Sequence, residues 1–441
     1  MLSDALPLST CLPQPPAFER LAQHLPWEWI EGALAYTGKA SIRRRRLPAE
    51  QVVWLVIALA LYRHHSVQQV ISDLDLSLPD LSLPLVSDSA VTQARSRLGA
   101  EPLKWVFEKC AAAWAEQHRA YGTYRGLQLL AMDGTTLRLA DSPANRLHFG
   151  AQGYAEGAVS SYPQLRAVTL CALETQLVLA GRFGPYATSE ITFAKEMLPE
   201  IPQHSLTIID AGYYSAAVLV GLQQMGGERH FLIPAKTNSR WRLLEGDEDD
   251  GLVEMTVSSQ ARAANPALPA TWQARVFRYV LPNGRTKVFL TSLLDRRVVP
   301  ARELGECYAL RWRIETSYRE LKQTMLGMEM SLRSHSVERT EQEVWGALIA
   351  YNLIRQEMAL AAREARCEPT DISFVLAFQT IQNELLWATP NMAQGRIPEM
   401  LQRIRGRLVQ ILKVQRPGRT FDRVVKAKPQ RYPQRRIRKT T

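Results

Sequence analysis

Cysteine is scarce in this chain, and the five that occur (Cys11, Cys110, Cys171, Cys307 and Cys367) never stand at C-x-x-C spacing. That argues against a disulfide framework and a zinc ribbon, and it fits a reducing cytoplasm. Long apolar runs are missing too: VVWLVIALALY at 52–62 falls short of the ~20 residues a bilayer-spanning helix needs. It reads as a buried core helix. The opening MLSDALPLST has no basic stretch leading into an apolar one, so no secretory signal is expected. Gly38-Lys39 lacks the upstream glycine and the following Ser or Thr of a phosphate-binding loop. Neither G-x-S-x-G nor H-E-x-x-H occurs, and the eight histidines form no ligand-spaced cluster. ATPase, serine hydrolase and zinc-enzyme chemistries are thereby set aside.

Acids are in deficit, 43 against 54 Lys and Arg, for a formal charge of +11. Such a balance favours polyanionic partners, because each cation set against a phosphate releases condensed counterions. Charge alone leaves DNA, RNA and an anionic membrane open. With 46% hydrophobic and 22% charged residues the chain is a core-forming one, and 441 residues suggest two to four structural units.

Residues 1–120 show apolar positions at three-to-four spacing in 17–36, 49–63, 66–73, 88–98 and 102–117, which predicts helices. Ser66, and Ser87 or Ser89, stand where N-caps belong, and Gly99 where a helix stops. The run Arg43, Arg44, Arg45, Arg46 is either a solvated charged corner or a phosphate contact. From about 121 the texture turns to β. LQLLAMDGT (127–135), QLRAVTLCAL (164–173), QLVLAGRF (176–183), SLTIID (205–210) and RHFLIPA (229–235) read as strands, with helices at 188–199 and 214–225 separating the last three. Three strands followed by alternating helix and strand imply a mixed α/β sheet with helices on its faces. Between 236 and 300, Asn283-Gly284 joins two alternating runs, the signal of a hairpin in a small β-rich insertion. Helical periodicity resumes at 301–326 and 338–365, with a further helix near 369–388. The tail 403–441 carries fourteen Lys or Arg against the single acid Asp422, and a nucleic-acid arm is the commonest specific use of such a tail.

Three acids stand out. Asp133 closes an apolar strand and is followed by Gly134, and Asp210 closes SLTIID before Ala211-Gly212. Strand-end acids in an α/β sheet lie where ligand crevices form. Taken singly, each reads better as a turn cap, and it is their paired context that points to a site. The third element is YALRWRIETSYRELK, 308–322. On a continuous helix at ~100° per residue, Tyr308, Arg311, Glu315 and Lys322 share an arc of roughly 60°. The plain alternative is a solvent-facing helix laced by ion pairs such as Arg311 with Glu315, and Glu320, ~140° away, then supplies the ordinary exposed acid.

In this order, Asp133, then DAGYYS with Asp210, then Y-x2-R-x3-E-x6-K at Tyr308, Arg311, Glu315 and Lys322, the sequence resembles the transposases of the insertion element 4 family. RLPAEQVVWLVIALALYR, SYPQLRAV, EVWGALIAYNLIR and GRIPEM extend the resemblance over nearly the whole chain. It implies a ribonuclease-H-like core at 121–235 and 301–365, interrupted by the β-rich insertion at 236–300. A helical DNA-binding region at 1–120 and a helical, basic C-terminal region at 366–441 complete the expected plan. It further implies that Asp133, Asp210 and Glu315 are catalytic and hold two Mg²⁺ or Mn²⁺ ions. All-oxygen ligands facing phosphate select such hard cations, and two ions ~3.5–4 Å apart suit in-line displacement at phosphorus.

Tyr308, Arg311 and Lys322 then handle phosphates, and Lys236 is either a DNA contact or a solvated loop charge. The implied partners are the double-stranded DNA of terminal inverted repeats and target, bound by a homodimer in a bacterial cytoplasm, with no membrane. A base-flipping member wants an aromatic on the insertion, and Trp241, Trp272, Phe277 and Tyr279 are the candidates, each reading better as hairpin core. A catalytically inactive DNA-binding repressor and a nuclease without strand transfer are the alternatives.

Overall fold

A computed structural model describes residues 25–40, 47–74, 76, 86–119, 121–153, 158–281, 284–327, 331–387, 397–411 and 434–436. The Arg43–Arg46 run, Asn283 and most of the basic tail lie outside the described residues. Five helices come first: α1 (Trp27–Tyr36), α2 (Ala49–Leu61), α3 (Val67–Asp73), α4 (Asp88–Leu98) and α5 (Glu101–Gln117). Next are β1 (Thr123–Tyr124), β2 (Leu127–Arg138), α6 (Pro143–Phe149), β3 (Ala158–Ser160), β4 (Gln164–Ala172) and β5 (Val178–Pro185). They are followed by α7 (Glu190–Met197), β6 (Ser205–Ile209), α8 (Ala216–Gln224) and β7 (Arg229–Pro234). The stretch 236–300 holds β8 (Arg242–Gly246), β9 (Asp250–Thr256), α9 (Ser259–Ala264), β10 (Thr271–Val280) and β11 (Thr286–Thr291). The chain closes with α10 (Ala301–Ala309), α11 (Trp312–Arg319), α12 (Val337–Ala365), α13 (Phe374–Trp387), α14 (Ile397–Gln410) and β12 (Gln434–Arg436).

These elements gather into two compact units, one of Met1–Trp114, Leu137–Leu165 and Arg319–Thr441, the other of Ala115–Thr136 and Arg166–Tyr318. The second unit holds most of a mixed sheet ordered β5-β4-β2-β6-β7-β11-β10-β9-β8. The pairs β2–β6 and β6–β7 are parallel, while β7–β11, β11–β10, β10–β9 and β9–β8 are antiparallel. Three consecutive strands on one side of a parallel pair, in the order β5-β4-β2-β6-β7, define a ribonuclease-H-like core. The insertion does not stand apart from it: β11 pairs with β7 through Phe289↔Pro234 and Leu290↔Ile233. Leu130, Met132, Ile209 and Phe231 of the core therefore share one apolar cluster with Val253, Trp272 and Leu290 of the insertion. Gly284, at φ +77°, adopts the left-handed conformation in the hairpin between β10 and β11.

The first unit is built around α12, whose middle is buried on every side and packs against α2. Gly346 permits that approach, since a Cβ there would lie 2.7 Å from Val56 Cγ1 and 3.0 Å from its carbonyl oxygen. α2 is the expected core helix, Trp54, Leu55 and Ile57 being fully buried. The hydroxyls of Ser66 and Ser87 accept from the backbone N–H of Gln69 and Ala90, and Gly99 at φ +73° ends α4. No described helix is long and apolar enough to cross a membrane.

The segment 301–326 departs from the continuous helix that periodicity predicts. Three-residue backbone hydrogen bonds from Leu310 to Cys307 (3.0 Å) and Arg311 to Tyr308 (3.1 Å) tighten the chain between α10 and α11. A turn of π-helix, Glu320–Met325, then follows α11. Glu320 is not the exposed acid expected of it. It is 7% exposed and forms an ion pair with the wholly buried Arg355 of α12, whose Nε also donates to Tyr351 Oη at 2.9 Å. A guanidinium taken out of water needs an anion, and the widened turn is where Glu320 meets it. Removing one partner, Glu320→Gln, is expected to destabilise the chain by about 3–5 kcal/mol, whereas Glu320→Leu combined with Arg355→Met should recover much of that loss. Chemical denaturation followed by circular dichroism checks both, and a Glu320→Gln chain as stable as wild type contradicts the assignment.

Candidate active site

The two aspartates meet because of strand register. The last pairs in the parallel β2–β6 ladder are Ala131↔Ile208 and Met132↔Ile209, so Asp133 and Asp210 are the next residues along neighbouring strands, which run ~4.8 Å apart. Asp133 does not end its strand, as the sequence suggests, for β2 continues to Arg138. Nor is Gly134 there to turn the chain. A Cβ at that position would lie 2.4 Å from the carboxyl carbon of Glu190, so the glycine makes room for a side chain from α7. Asp133 Oδ1 accepts from Gly134 N at 2.8 Å, and Asp210 caps the short turn Ala211–Tyr213 by accepting from Ala211 N. Asp210 thus also serves as a turn cap, the plainer alternative raised from its sequence context, whereas Asp133 stays within its strand.

Glu315 arrives on α11, which hydrogen bonds fasten to the sheet. Gln176 Nε2, in the turn after β4, donates to Arg313 O (2.8 Å) and Ser317 Oγ (3.0 Å), and Arg313 forms an ion pair with Glu174. One turn beyond Glu315, the buried Tyr318 hydroxyl donates to the Asp133 carbonyl and accepts from Thr169 Oγ1 at 2.8 Å. Tyr318 thus ties the Glu315 helix to the Asp133 strand. Loss of that hydroxyl, Tyr318→Phe, leaves a buried carbonyl and a buried threonine without it. A lowered thermal midpoint equivalent to about 1–3 kcal/mol is expected, and an unchanged midpoint removes the tie.

Arg311 sits among the acids. Its Nη2 lies 2.7 Å from Glu315 Oε1 and its Nη1 3.5 Å from Asp133 Oδ2, while Nε is buried with no acceptor. Asp133 feels the charges of Arg311, Asp210 and Glu315, and burial, the largest influence, pushes its pKa up to about 6. In Arg311 burial works against the proton, but Tyr308, Asp210 and Glu315 outweigh it and raise the pKa. The three carboxylates and Arg311 therefore form one electrostatic group, although no three acids, histidines or cysteines among the described residues stand at metal-binding spacing.

By donor chemistry the set fits a hard divalent cation: it is all oxygen, half-buried and mutually repulsive, with one guanidinium as its internal counter-charge. A folded-state pKa above the ordinary carboxylate value means that Asp133 opposes folding by an amount absent below about pH 4 and growing as the pH rises to about 6. Asp133→Asn should therefore raise the thermal midpoint of the metal-free protein at pH 8 by the equivalent of about 1–3 kcal/mol and change it little at pH 4. Differential scanning calorimetry in chelator reads this, and an unchanged midpoint at pH 8 is the contrary result.

The remaining sequence candidates divide. Tyr308 is buried against Phe289 (ring centroids 4.6 Å), beneath Arg311 (5.9 Å) and Lys287 (5.7 Å), and packs under the site instead of offering a free ring. Lys236 is exposed and sits by Tyr214, 5.4 Å from its ring centroid. Lys322 lies on the π-helical turn, in the other compact unit, and Arg43, Arg44, Arg45 and Arg46 fall outside the described residues. Trp272 and Phe277 are insertion core, packed on Phe231 and Phe289. Two groups escaped the sequence reading. Glu190, paired with Arg166 at 3.1 Å, is a fourth acid beside Gly134, and Lys287 is an exposed cation above Tyr308. No spacing signal marks either, because tertiary packing of α7 and β11 brings them there.

A ribonuclease-H-like core that gathers two sheet aspartates and a helix glutamate has the plan that the resemblance to DDE transposases implies. Comparison with known proteins agrees. Residues 15–108 match the insertion element 4 transposase N-terminal family and 124–353 the transposase DDE domain. Transposase InsG for insertion sequence element IS4, from Escherichia coli strain K12, is 36% identical over 419 residues, 94% of this chain and 93% of that protein. A putative transposase of the same strain, InsZ, is 36% identical over 247 residues, 56% of this chain and 81% of its own length. A solved piggyBac transposase synaptic complex with hairpin DNA covers 93% of this chain and 88% of its own at a TM-score of 0.43 and 11% identity, a likeness too loose to add to the assignment. The chain belongs to the insertion element 4 family of DDE transposases.

Proposed function

We propose that this protein excises an insertion sequence and joins it to target DNA, after binding the element's terminal inverted repeats. The observation that carries this reading is the single electrostatic group of Asp133, Asp210 and Glu315 around Arg311. Asp133, Asp210 and Glu315 would hold Mg²⁺ or Mn²⁺, two ions in the full site. Bound there, such ions supply Lewis-acid polarisation of a phosphodiester and activation of water or a 3′-hydroxyl. The protein's own part is to fix the carboxylates through β2, β6 and α11, and to bring fixed positive charge to the phosphates. Arg311 is suited to this, because its planar fork matches phosphate as well as carboxylate and its Nε has no acceptor. Lys322 and the exposed Lys287 and Lys236 are further phosphate contacts on this reading, as is the Arg43–Arg46 run. Two element ends must be held together for joining, so a homodimer on DNA is expected.

The test uses the purified full chain, Mg²⁺ and a duplex carrying the element end. Wild type should nick and then join, and Glu315→Ala should lower nicking by at least ~10²-fold with duplex binding retained. Binding without cleavage by wild type supports the repressor instead, and cleavage without joining supports the nuclease.

A further inference from the structure

The first compact unit holds a cavity of about 450 Å³ that no part of the carboxylate site uses. Its walls come from α2, α3, α4 and the segment 333–343 that enters α12. Four arginines line it, Arg63, Arg95, Arg333 and Arg339, against the two acids Glu343 and Asp88. The carboxylates are already engaged. Glu343 pairs with Arg63 and accepts from the backbone N–H of Arg333 (2.9 Å) and Ser334 (3.0 Å), and Asp88 accepts from Gln68 Nε2 at 2.8 Å.

Arg95 and Arg339 are left with neutral acceptors. Arg95 donates to Gln342 Oε1 (3.1 Å), Arg339 O (3.2 Å) and Ser334 Oγ (3.4 Å), and Arg339 to Ser336 Oγ (2.8 Å). Burial makes the charged form of Arg95 less favourable; the charge of Glu343 offsets part of that, and Arg339 repels it in turn. Two like charges drawn partly out of water, beside an open cavity and with only neutral groups as direct acceptors, favour a further anion between them. A tetrahedral phosphate accepts from such forks in pairs, and the volume is that of a ligand pocket.

We infer that this cavity is a phosphate site that grips the DNA backbone away from the reacting carboxylates. The inference rests on the reading of the chain as a DNA enzyme, and it assigns to Arg95 and Arg339 a binding role that no sequence motif marks. The chemistry itself, a phosphate oxyanion, could also be met by free inorganic phosphate.

Fluorescence anisotropy with the full chain and a duplex bearing the element end, titrated at several salt concentrations, separates these sources. Arg339→Gln removes one fork. Thr92→Glu, at an exposed position on the cavity lip, adds an anion without disturbing the buried bonds. Each is expected to weaken duplex binding by several-fold to about tenfold and to reduce the slope of log affinity against log salt by about one. Thermal melting confirms that each variant is folded, and the second variant keeps the test open should the first unfold.

Unchanged affinity and slope in a folded Thr92→Glu chain overturn the inference, as does a wild type that binds no duplex. A melting-temperature rise with inorganic phosphate that both variants lose, at unchanged duplex affinity, also overturns it in favour of a small-anion site. Nicking by wild type with Mg²⁺ is scored separately: its absence sinks the catalytic reading, while the binding comparison still decides the cavity.

Discussion

One guanidinium holds the site together. Asp133 and Glu315 come from distant parts of the chain, and both are drawn to Arg311, at 3.5 and 2.7 Å. Without that positive charge, three acids within electrostatic reach of one another in a half-buried setting would repel strongly, since opposite and like charges act with little screening away from bulk water. The arrangement is tolerable because the counter-charge is built in. Asp133 nevertheless remains disfavoured as an anion, with its pKa pushed up to about 6 by burial. A carboxylate perturbed in this way by burial and named charged neighbours marks a candidate functional site.

The sheet supplies the precision. Parallel pairing of β2 with β6 fixes which residues follow Met132 and Ile209, and those residues are the two aspartates. A slip of one residue would turn one acid to the opposite face, so the register that buries the apolar cluster also sets the spacing of the acids. The insertion contributes to this rigidity by continuing the sheet through β11, whose pairing with β7 leaves that core strand no free edge. Tyr318 then links the third acid's helix to the same strand, by way of the Asp133 carbonyl and Thr169.

Much of this was legible in the sequence because it rests on local signals. Strands β2, β4, β5, β6 and β7, the buried helix α2, the caps Ser66 and Ser87, and the hairpin around Gly284 all announce themselves by alternation, apolar runs or turn chemistry. The three acids were legible as a set through order and motif, more than through any one of them. What local pattern could not reveal depends on tertiary context. Periodicity assumes one helix from 301 to 326, yet tight turns before Trp312 and a wide one after Arg319 break it, and Glu320 turns inward to a partner 35 residues on. Gly134 reads as a turn signal until α7 is seen to place Glu190 against it. Glu190 and Lys287 have no motif at all, because helix α7 and strand β11 bring them near only through the tertiary fold.

Arg355 and Arg311 illustrate how the same side chain serves opposite ends. Arg355 is sealed, its guanidinium matched by Glu320 and lying over Phe374 at 4.9 Å, and such a pair fixes a packing arrangement and nothing more. Arg311 faces two acids and keeps Nε without an acceptor, so its hydrogen-bonding capacity is not exhausted. A group with unspent donors, next to acids that tolerate one another only through it, can change partners when a phosphate and its cations approach. A group whose donors are all matched cannot do so without leaving a buried charge alone. On the proposed reading this difference in satisfaction, and not the residue type, separates the arginine that holds the fold from the one that works at the site.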